Sequence, residues 1–389
     1  MKTNSPTRFL LLVLVLFVQL SFTHNSYAQF TARNEIKIPD IPGYVTLKCD
    51  FHIHTVFSDG GVWPNVRPEE AWREGLDAFA ITDHIEHTPH EQDIRENHNR
   101  PYEIAFPRAR ELDLKIIKGA EITRDMPPGH FNALFLQEVN VLDTEKWDDA
   151  VKAAIDQKAF LFWNHPGWKG QQPDGISIWY PEHTELLEKG WLHGIEIVND
   201  GEYYPLAHKW ALEKKLTMLG NSDVHSPVSM RYDLCNGQHR IITLVFAKEK
   251  STQAIKDALF NQQTAVYFEN KLIGEEKYLK PIFNQSIEII NPDVTITGKG
   301  SVNFQIHNNS QIDFELIADG KSDEISFPSK ITLYTDKTVL LKISAKSETL
   351  TGTKKIRLPY KVENLLVAPQ QGLNIELPIN INFIPADTE

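Results

Sequence analysis

Apolar and polar positions change rhythm twice along this chain of 389 residues. The first apolar run, FLLLVLVLFVQL, is continuous; it follows Lys2 and Arg8 and gives way to Ser26-Tyr27-Ala28. From Tyr44 to about Asn270, short apolar runs then alternate with segments of helical spacing. The runs at 44–51, 77–82, 115–120, 130–136, 159–163, 194–198, 217–220 and 240–247 are nearly continuous, which is how strands buried on both faces read. Between them, 68–75, 101–113, 143–157, 205–215 and 251–261 read as helices. The third of these has an Asp start, Glu145 in its first turn and apolar spacing at Trp147, Val151 and Ile155. Seven or eight such units over about 225 residues predict a parallel sheet covered by helices, closed into a distorted (β/α)7-type barrel.

Beyond Pro281 the period drops to two. The runs SIEII, SVNFQIH, DFELIA, KITLYT, TVLLKIS, KKIRLPYKV and NIELPINI are separated by Asn, Gly, Lys and Asp. That pattern predicts an antiparallel β-sandwich of about seven strands. GEEKYLKP (274–281) reads as the linker. The expected organisation is a leader at 1–28, a barrel domain at 29–275 and an accessory sandwich at 282–389.

A basic start, an apolar stretch of this length and small residues before Gln29 describe a secretory signal cleaved at that point. No cysteine stands directly after the cleavage site, which argues against a lipoprotein, and no later stretch is apolar enough to span a bilayer, so the mature chain is expected to be periplasmic or secreted, without membrane insertion. The net charge of −12 argues against nucleic acid or an anionic membrane surface as main partner. It leaves an anionic small molecule open, because bound cations reverse the local field. Cys49 and Cys235 do not make a disulfide framework, and Cys49, inside the first strand, reads as a small buried apolar residue.

The polar residues that punctuate the strand ends carry the chemistry. His52-Ile53-His54 sets two imidazoles on one face of a strand, and Asp59 follows in a Ser-Asp-Gly-Gly turn. His84 ends the second strand, with Asp83 beside it to orient an imidazole. Glu121 ends the third and is the natural bridge between two cations. His130 opens HFNALFL, His165 closes AFLFWNHP, and Asp223 and His225 repeat the alternating arrangement in NSDVH. These are more donors than one zinc takes, so they imply two or three divalent ions, and ligands of this type accept manganese, zinc and iron alike. Glu121 and Asp223 are the carboxylates expected to position the attacking water. Arg231 is the leading candidate for contact with a phosphate, with Arg95, Arg100 and Arg240 behind it. His87, in a loop over the expected mouth, is a candidate substrate contact. His90, His98, His183, His193 and His208 read as solvated or capping.

With DFHIHTVFSDGG, AITDH, GAEIT, WNHP and GNSDVH in this order, the chain resembles the PHP (polymerase and histidinol phosphatase) family from about Leu47 to Phe268. The resemblance implies a distorted (β/α)7 barrel holding a trinuclear centre. His52, His54, Glu121 and Asp223 would hold one ion, Glu121, His130 and His165 a second, and Asp59, His84 and His225 a third. An Asp at 59 resembles the branch that cleaves nucleotide and organic phosphates, and the full-length layout resembles an exported phosphodiesterase branch. The expected function is hydrolysis of small organic phosphate diesters by a metal-bound hydroxide attacking phosphorus in line. A phosphomonoesterase of nucleotide or sugar phosphates is the alternative. A surface- or carbohydrate-binding protein with a retired barrel is another, against which the complete set of costly polar groups counts.

Overall fold

The computed structural model describes residues 32–94 and 97–386; the leader with its cleavage site, and Arg95, lie outside them. The alternating half of the chain forms β1 (Val45–Asp50), α1 (Arg67–Arg73), β2 (Ala78–Ile81), α2 (Arg100–Glu111), β3 (Lys115–Ile122), β4 (Phe131–Leu134), α3 (Trp147–Asp156) and β5 (Phe160–Trp163). It continues with α4 (Pro181–Glu188), β6 (Gly194–Asn199), the short β7 (Glu202–Tyr203), α5 (Pro205–Lys214), β8 (Thr217–Asn221), α6 (Val228–Arg231) and β9 (Ile242–Ala247). Helix α7 (Thr252–Phe260) and the hairpin β10 (Thr264–Phe268) and β11 (Lys271–Gly274) complete it. Local chemistry explains the helix starts. Proline falls in the first turns of α1, α4 and α5, where no intrahelical N–H is needed, and the Ser251 hydroxyl caps α7 by accepting from Ala254 N at 3.1 Å.

The barrel wall runs β1, β2, β3, β4, β5, β6, β8. It closes where the tail of β1 meets the tail of β8, through a parallel bridge between Ile53 and Val224. His54 N donates there to Val224 O at 3.1 Å, and Asp223 N to His52 O at 3.0 Å. Farther down, β9 lies antiparallel on β1 and reaches β8 through Thr243 Oγ1, which donates to Gly220 O at 2.8 Å. The wall is thus mixed rather than parallel throughout. Strand β4 runs antiparallel to both neighbours, since the residues between Ile122 and Phe131 are too few for a crossover helix. The reversal brings the start of β4 to the same rim as the end of β3, and so places His130 beside Glu121.

The expected linker is not a linker. Residues 276–286 form α8 (Glu276–Ser286), which buries Tyr278, Leu279, Ile282 and Phe283 despite Pro281 in its interior. The sandwich follows as β12 (Ile287–Ile289), β13 (Asp293–Thr297), β14 (Ser301–Asn308), β15 (Phe314–Ala318), β16 (Ile325–Ser326), β17 (Lys330–Leu333), β18 (Thr338–Ala345), β19 (Gly352–Ala368) and β20 (Gln371–Ile384). One sheet carries β13, β20, β19, β15 and β17, the other β12, β14, β18 and β16. Pairing is antiparallel except at one edge, where β13 runs parallel to β20. Barrel and sandwich are also joined by backbone. Strand β11 pairs parallel with β19 at Leu272 and Ile273, and α8 carries one apolar core across, with Tyr278 stacked on Phe246 and Phe283 edge-on to Phe314.

Candidate metal centre

All nine expected donors converge at the rim where β1 and β8 meet, and Glu121 is at their centre. Its Oε2 lies 2.9 Å from His84 Nδ1, 3.2 Å from His52 Nε2 and 3.3 Å from His54 Nε2. Its Oε1 lies 2.8 Å from His130 Nδ1 and 3.5 Å from His165 Nε2. One carboxylate therefore faces two sets of imidazoles, one per oxygen, as a bridging ligand must. Asp223 Oδ1 stands 3.0 Å from His54 Nε2 and 3.3 Å from His52 Nε2, while Asp59 Oδ1 is 3.1 Å from His225 Nε2 and 3.5 Å from His84 Nε2. By distance the donors gather as His54, Asp59, His84 and His225; His52, Glu121 and His165; His52, His54 and Asp223; and His84, Glu121 and His130. The partition differs from the expected one in that His52, His54 and His84 are each shared between two groups, and His130 and His165 fall in separate ones.

Protein groups alone do not satisfy this cluster. His54 Nε2, Asp59 Oδ1 and Asp223 Oδ1 are buried without a hydrogen-bond partner. Such atoms cost on the order of 1–3 kcal/mol each unless something else binds them. Burial resists the charge on the Glu121 and Asp223 carboxyls, yet the surrounding imidazoles outweigh it and hold both well below the usual carboxylate range. Burial likewise opposes charge on His52, where Asp223, Glu121 and Glu196 prevail and raise the imidazole well above its ordinary value. His54 goes the other way, to about 3, because burial and the neighbouring His84 both disfavour its charged form. His165 and Asp223 have left-handed backbones, with φ of 26° and 52°, a strain that clusters where geometry is imposed for function. An array of imidazole nitrogens and carboxylate oxygens with unmatched buried acceptors fits divalent cations in donor chemistry.

The supporting residues are partly new. Glu196, the single carboxylate in the fully buried β6, accepts from His165 N at 2.8 Å and from the Asn199 and Asn221 amides at 2.9 Å, and lies 3.0 Å from His52 Nδ1. It fixes the His52 ring and ties the loops after β5, β6 and β8 together, and only its place mid-strand signalled it. Asp83 was expected to orient an imidazole; instead it accepts from Thr55 N at 2.5 Å, Thr55 Oγ1 at 2.6 Å and Ser58 Oγ at 2.8 Å. It holds the turn that presents Asp59. That turn is tight enough to require Gly60, where a Cβ would meet the Thr55 backbone at 2.8 Å. Thr123 Oγ1, 2.6 Å from His84 Nδ1, anchors that ring. Buried Arg67 donates to the carbonyls of His54, Val224, His225 and Ser226 at 2.9–3.1 Å, clamping the two strand tails that carry four of the donors.

The arginines lie elsewhere. Arg231 pairs with Asp200 and lines a groove of about 920 Å³ whose far wall is Gln311, Asp313 and Thr335 of the sandwich. Arg240 is fully buried against Glu74 and Asp50, and Arg100 is an exposed partner of Glu103. His87 is at the mouth, half exposed, with Nε2 3.9 Å from Asp59 Oδ2. His183 and His208 are buried rather than solvated: His183 caps α4 as expected, accepting from Tyr180 N, and stacks on Trp163, while His208 bonds the Tyr203 hydroxyl. Cys49 is a buried free thiol in β1.

A barrel of this topology with a His and carboxylate cluster at its rim, followed by a sandwich, defines a two-domain protein equipped for divalent cations. Residues 287–378 match the family model DUF5001, an Ig-like domain. Over 90% of its length the chain is 44% identical, with a TM-score of 0.85, to all of a two-domain protein from Bacteroides vulgatus containing a predicted PHP-like metal-dependent phosphoesterase. The chain belongs to the PHP-like metal-dependent phosphoesterase family. Weaker likenesses, which add nothing to that assignment, are to a putative metal-dependent phosphoesterase from Bifidobacterium adolescentis (16% identity over 46% of this chain and 88% of that one, TM-score 0.38) and to an amidohydrolase from Chromobacterium violaceum (14%, 46% and 88%, 0.35). No curated protein matches the chain.

Proposed function

We propose that this protein is an exported, metal-dependent phosphodiesterase that hydrolyses small organic phosphate diesters at the rim of its barrel. The observation that carries the reading is Glu121, whose two oxygens each face a separate group of imidazoles. His52, His54, Asp59, His84, Glu121, His130, His165, Asp223 and His225 would hold two or three divalent ions of the manganese, zinc or iron type. When bound, such ions supply Lewis acidity and lower the pKa of a water toward neutrality.

The chain's own residues do the rest. Glu121 and Asp223 hold negative charge where cations are to gather, and Glu196 keeps His52 in one ring orientation. Asp83 and Arg67 fix the turn and the strand tails, so the donors stand ready without reorganisation. The diester is favoured over the monoester on charge. Arg124, Arg231 and Arg240 are each committed to a carboxylate, and a monoanionic diester asks for less neutralisation than a dianionic monoester. Export is supported by the pattern of the first 28 residues.

Hydrolysis of bis(p-nitrophenyl) phosphate against p-nitrophenyl phosphate, with manganese or zinc and a metal analysis of the same sample, tests the reaction. Preference for the diester is expected. Preference for the monoester would make the protein a scavenging phosphatase, and no turnover with metals bound would retire the enzymatic reading. N-terminal sequencing of protein recovered outside the cytoplasm should begin at Gln29; an intact leader there would refute the processing.

A further inference from the structure

We infer that Trp168 is the specificity wall of this centre, receiving the organic group of the ester and favouring flat aryl or nucleobase substituents over small alkyl ones. The inference rests on the phosphoesterase reading above. The indole is 45% exposed although its ring centroid is only 5.4 Å from that of His165 and 5.8 Å from that of His130. What sets this exposed indole apart is its place against the two donor histidines, where burying it under a bound ligand is favourable.

The residue is also held in place. Trp168 N donates to His165 O at 2.9 Å, and Trp168 O accepts from Gln171 N at 3.0 Å and Gln172 N at 2.7 Å. Gly170 leaves room for the ring, since a Cβ there would fall 2.4–2.7 Å from three indole carbons. Gln171 extends the same wall: its amide nitrogen is 3.2 Å from His130 Nε2 and donates to Arg124 O at 2.8 Å. Lys169 does not add charge here, being paired with Glu202 at 2.7 Å.

The division of labour follows. A cluster of imidazoles and carboxylates loaded with cations recognises the phosphoryl group and is indifferent to what is esterified to it. Selection among esters needs a surface of different chemistry, and an aromatic plane supplies it by stacking.

Calorimetric binding of phenylphosphonate and methylphosphonate to the full-length, metal-loaded protein tests this without turnover. Wild type should bind the phenyl compound about tenfold more tightly than the methyl one. Trp168→Ala should bring the two within about twofold, and Trp168→Phe should keep most of the preference, both with unchanged metal content. Equal binding by wild type, preference retained in Trp168→Ala, or loss of metal from that variant would each overturn the assignment. Preferential binding without hydrolysis of any phosphate ester would sink the phosphoesterase reading and leave the wall standing.

Discussion

Two buried polar clusters sit a few residues apart at the top of this barrel, and they obey opposite rules. In the lower one, Arg240 donates to Glu74 at 2.7 and 2.9 Å and to Asp50 at 2.9 Å, and Asp50 takes further bonds from Ser222 N at 3.1 Å and Ser222 Oγ at 2.5 Å. Its partners all come from the chain. In the upper one, begun by His52 two residues after Asp50 and by Asp223 one residue after Ser222, three buried polar atoms face imidazoles and carboxylates at 3.0–3.5 Å yet make no hydrogen bond. The chain can close a charge network in this region, and does so just below the rim. Where it leaves one open, the missing partner comes from outside.

Four experiments would break or sharpen that contrast. The largest effect is expected from Glu121→Gln, which should cut turnover on the order of a thousandfold or more and strip metal while circular dichroism stays native. Wild-type activity in that variant would end the bridging assignment. Arg240→Met should do the converse, costing about 3–5 kcal/mol in urea unfolding because two carboxylates lose their counterion, with metal stoichiometry unchanged. Metal loss from Arg240→Met would merge the two clusters into one. Glu196→Gln should weaken metal binding by roughly 10- to 100-fold in titration calorimetry and also cost the metal-free protein about 1–3 kcal/mol, because an amide nitrogen then faces buried donors.

The smallest effect concerns a histidine outside the open cluster. Burial holds His183 down at about 4, below its ordinary value of 6.5, whereas His225, where burial is overcome by Asp59, is raised to about 9. Below pH 6.5 the unfolded chain takes up a proton at position 183 that the folded chain refuses. Stability should therefore fall from about pH 6.5 toward 4, and His183→Asn should remove about 1–2 kcal/mol of that loss at pH 5. Parallel acid limbs in the two proteins would contradict it.

What could be read from sequence follows the same divide. Eight of the nine donors were legible as polar residues beside the ends of apolar strands, where period and punctuation coincide; Asp59 was legible from the Ser-Asp-Gly-Gly turn that follows the first of them. Glu196 was not, since a carboxylate in the middle of GIEIVN looks like half of a period-two alternation until its neighbours are known. Arg67 acts on backbone carbonyls that no sequence pattern exposes, and Arg231 is paired with Asp200, distant from it in the chain. In the fold, the eight expected barrel strands were placed within a few residues, whereas β7, β10, β11, β13 and β16 were not anticipated, and the reversed direction of β4 depends on the short connection before it. Helix α8 was hidden by Gly, Glu, Lys and Pro281, which suggest a linker until Leu279, Ile282 and Phe283 find a core. The parallel β13 edge was missed because alternation reports which face is buried and says nothing of strand direction.

The pairing of β11 with β19 makes the two domains one continuous ribbon at that seam. A barrel cut free at residue 282 would present Leu272 and Ile273 on an open strand edge, beside an apolar surface stripped of Phe314 and Leu365. Unpaired edges of that kind recruit other chains. The sandwich thus covers an edge and an apolar face that the barrel alone would leave open, and recombination that exchanged the C-terminal half would have to supply both a matching strand and a matching apolar face.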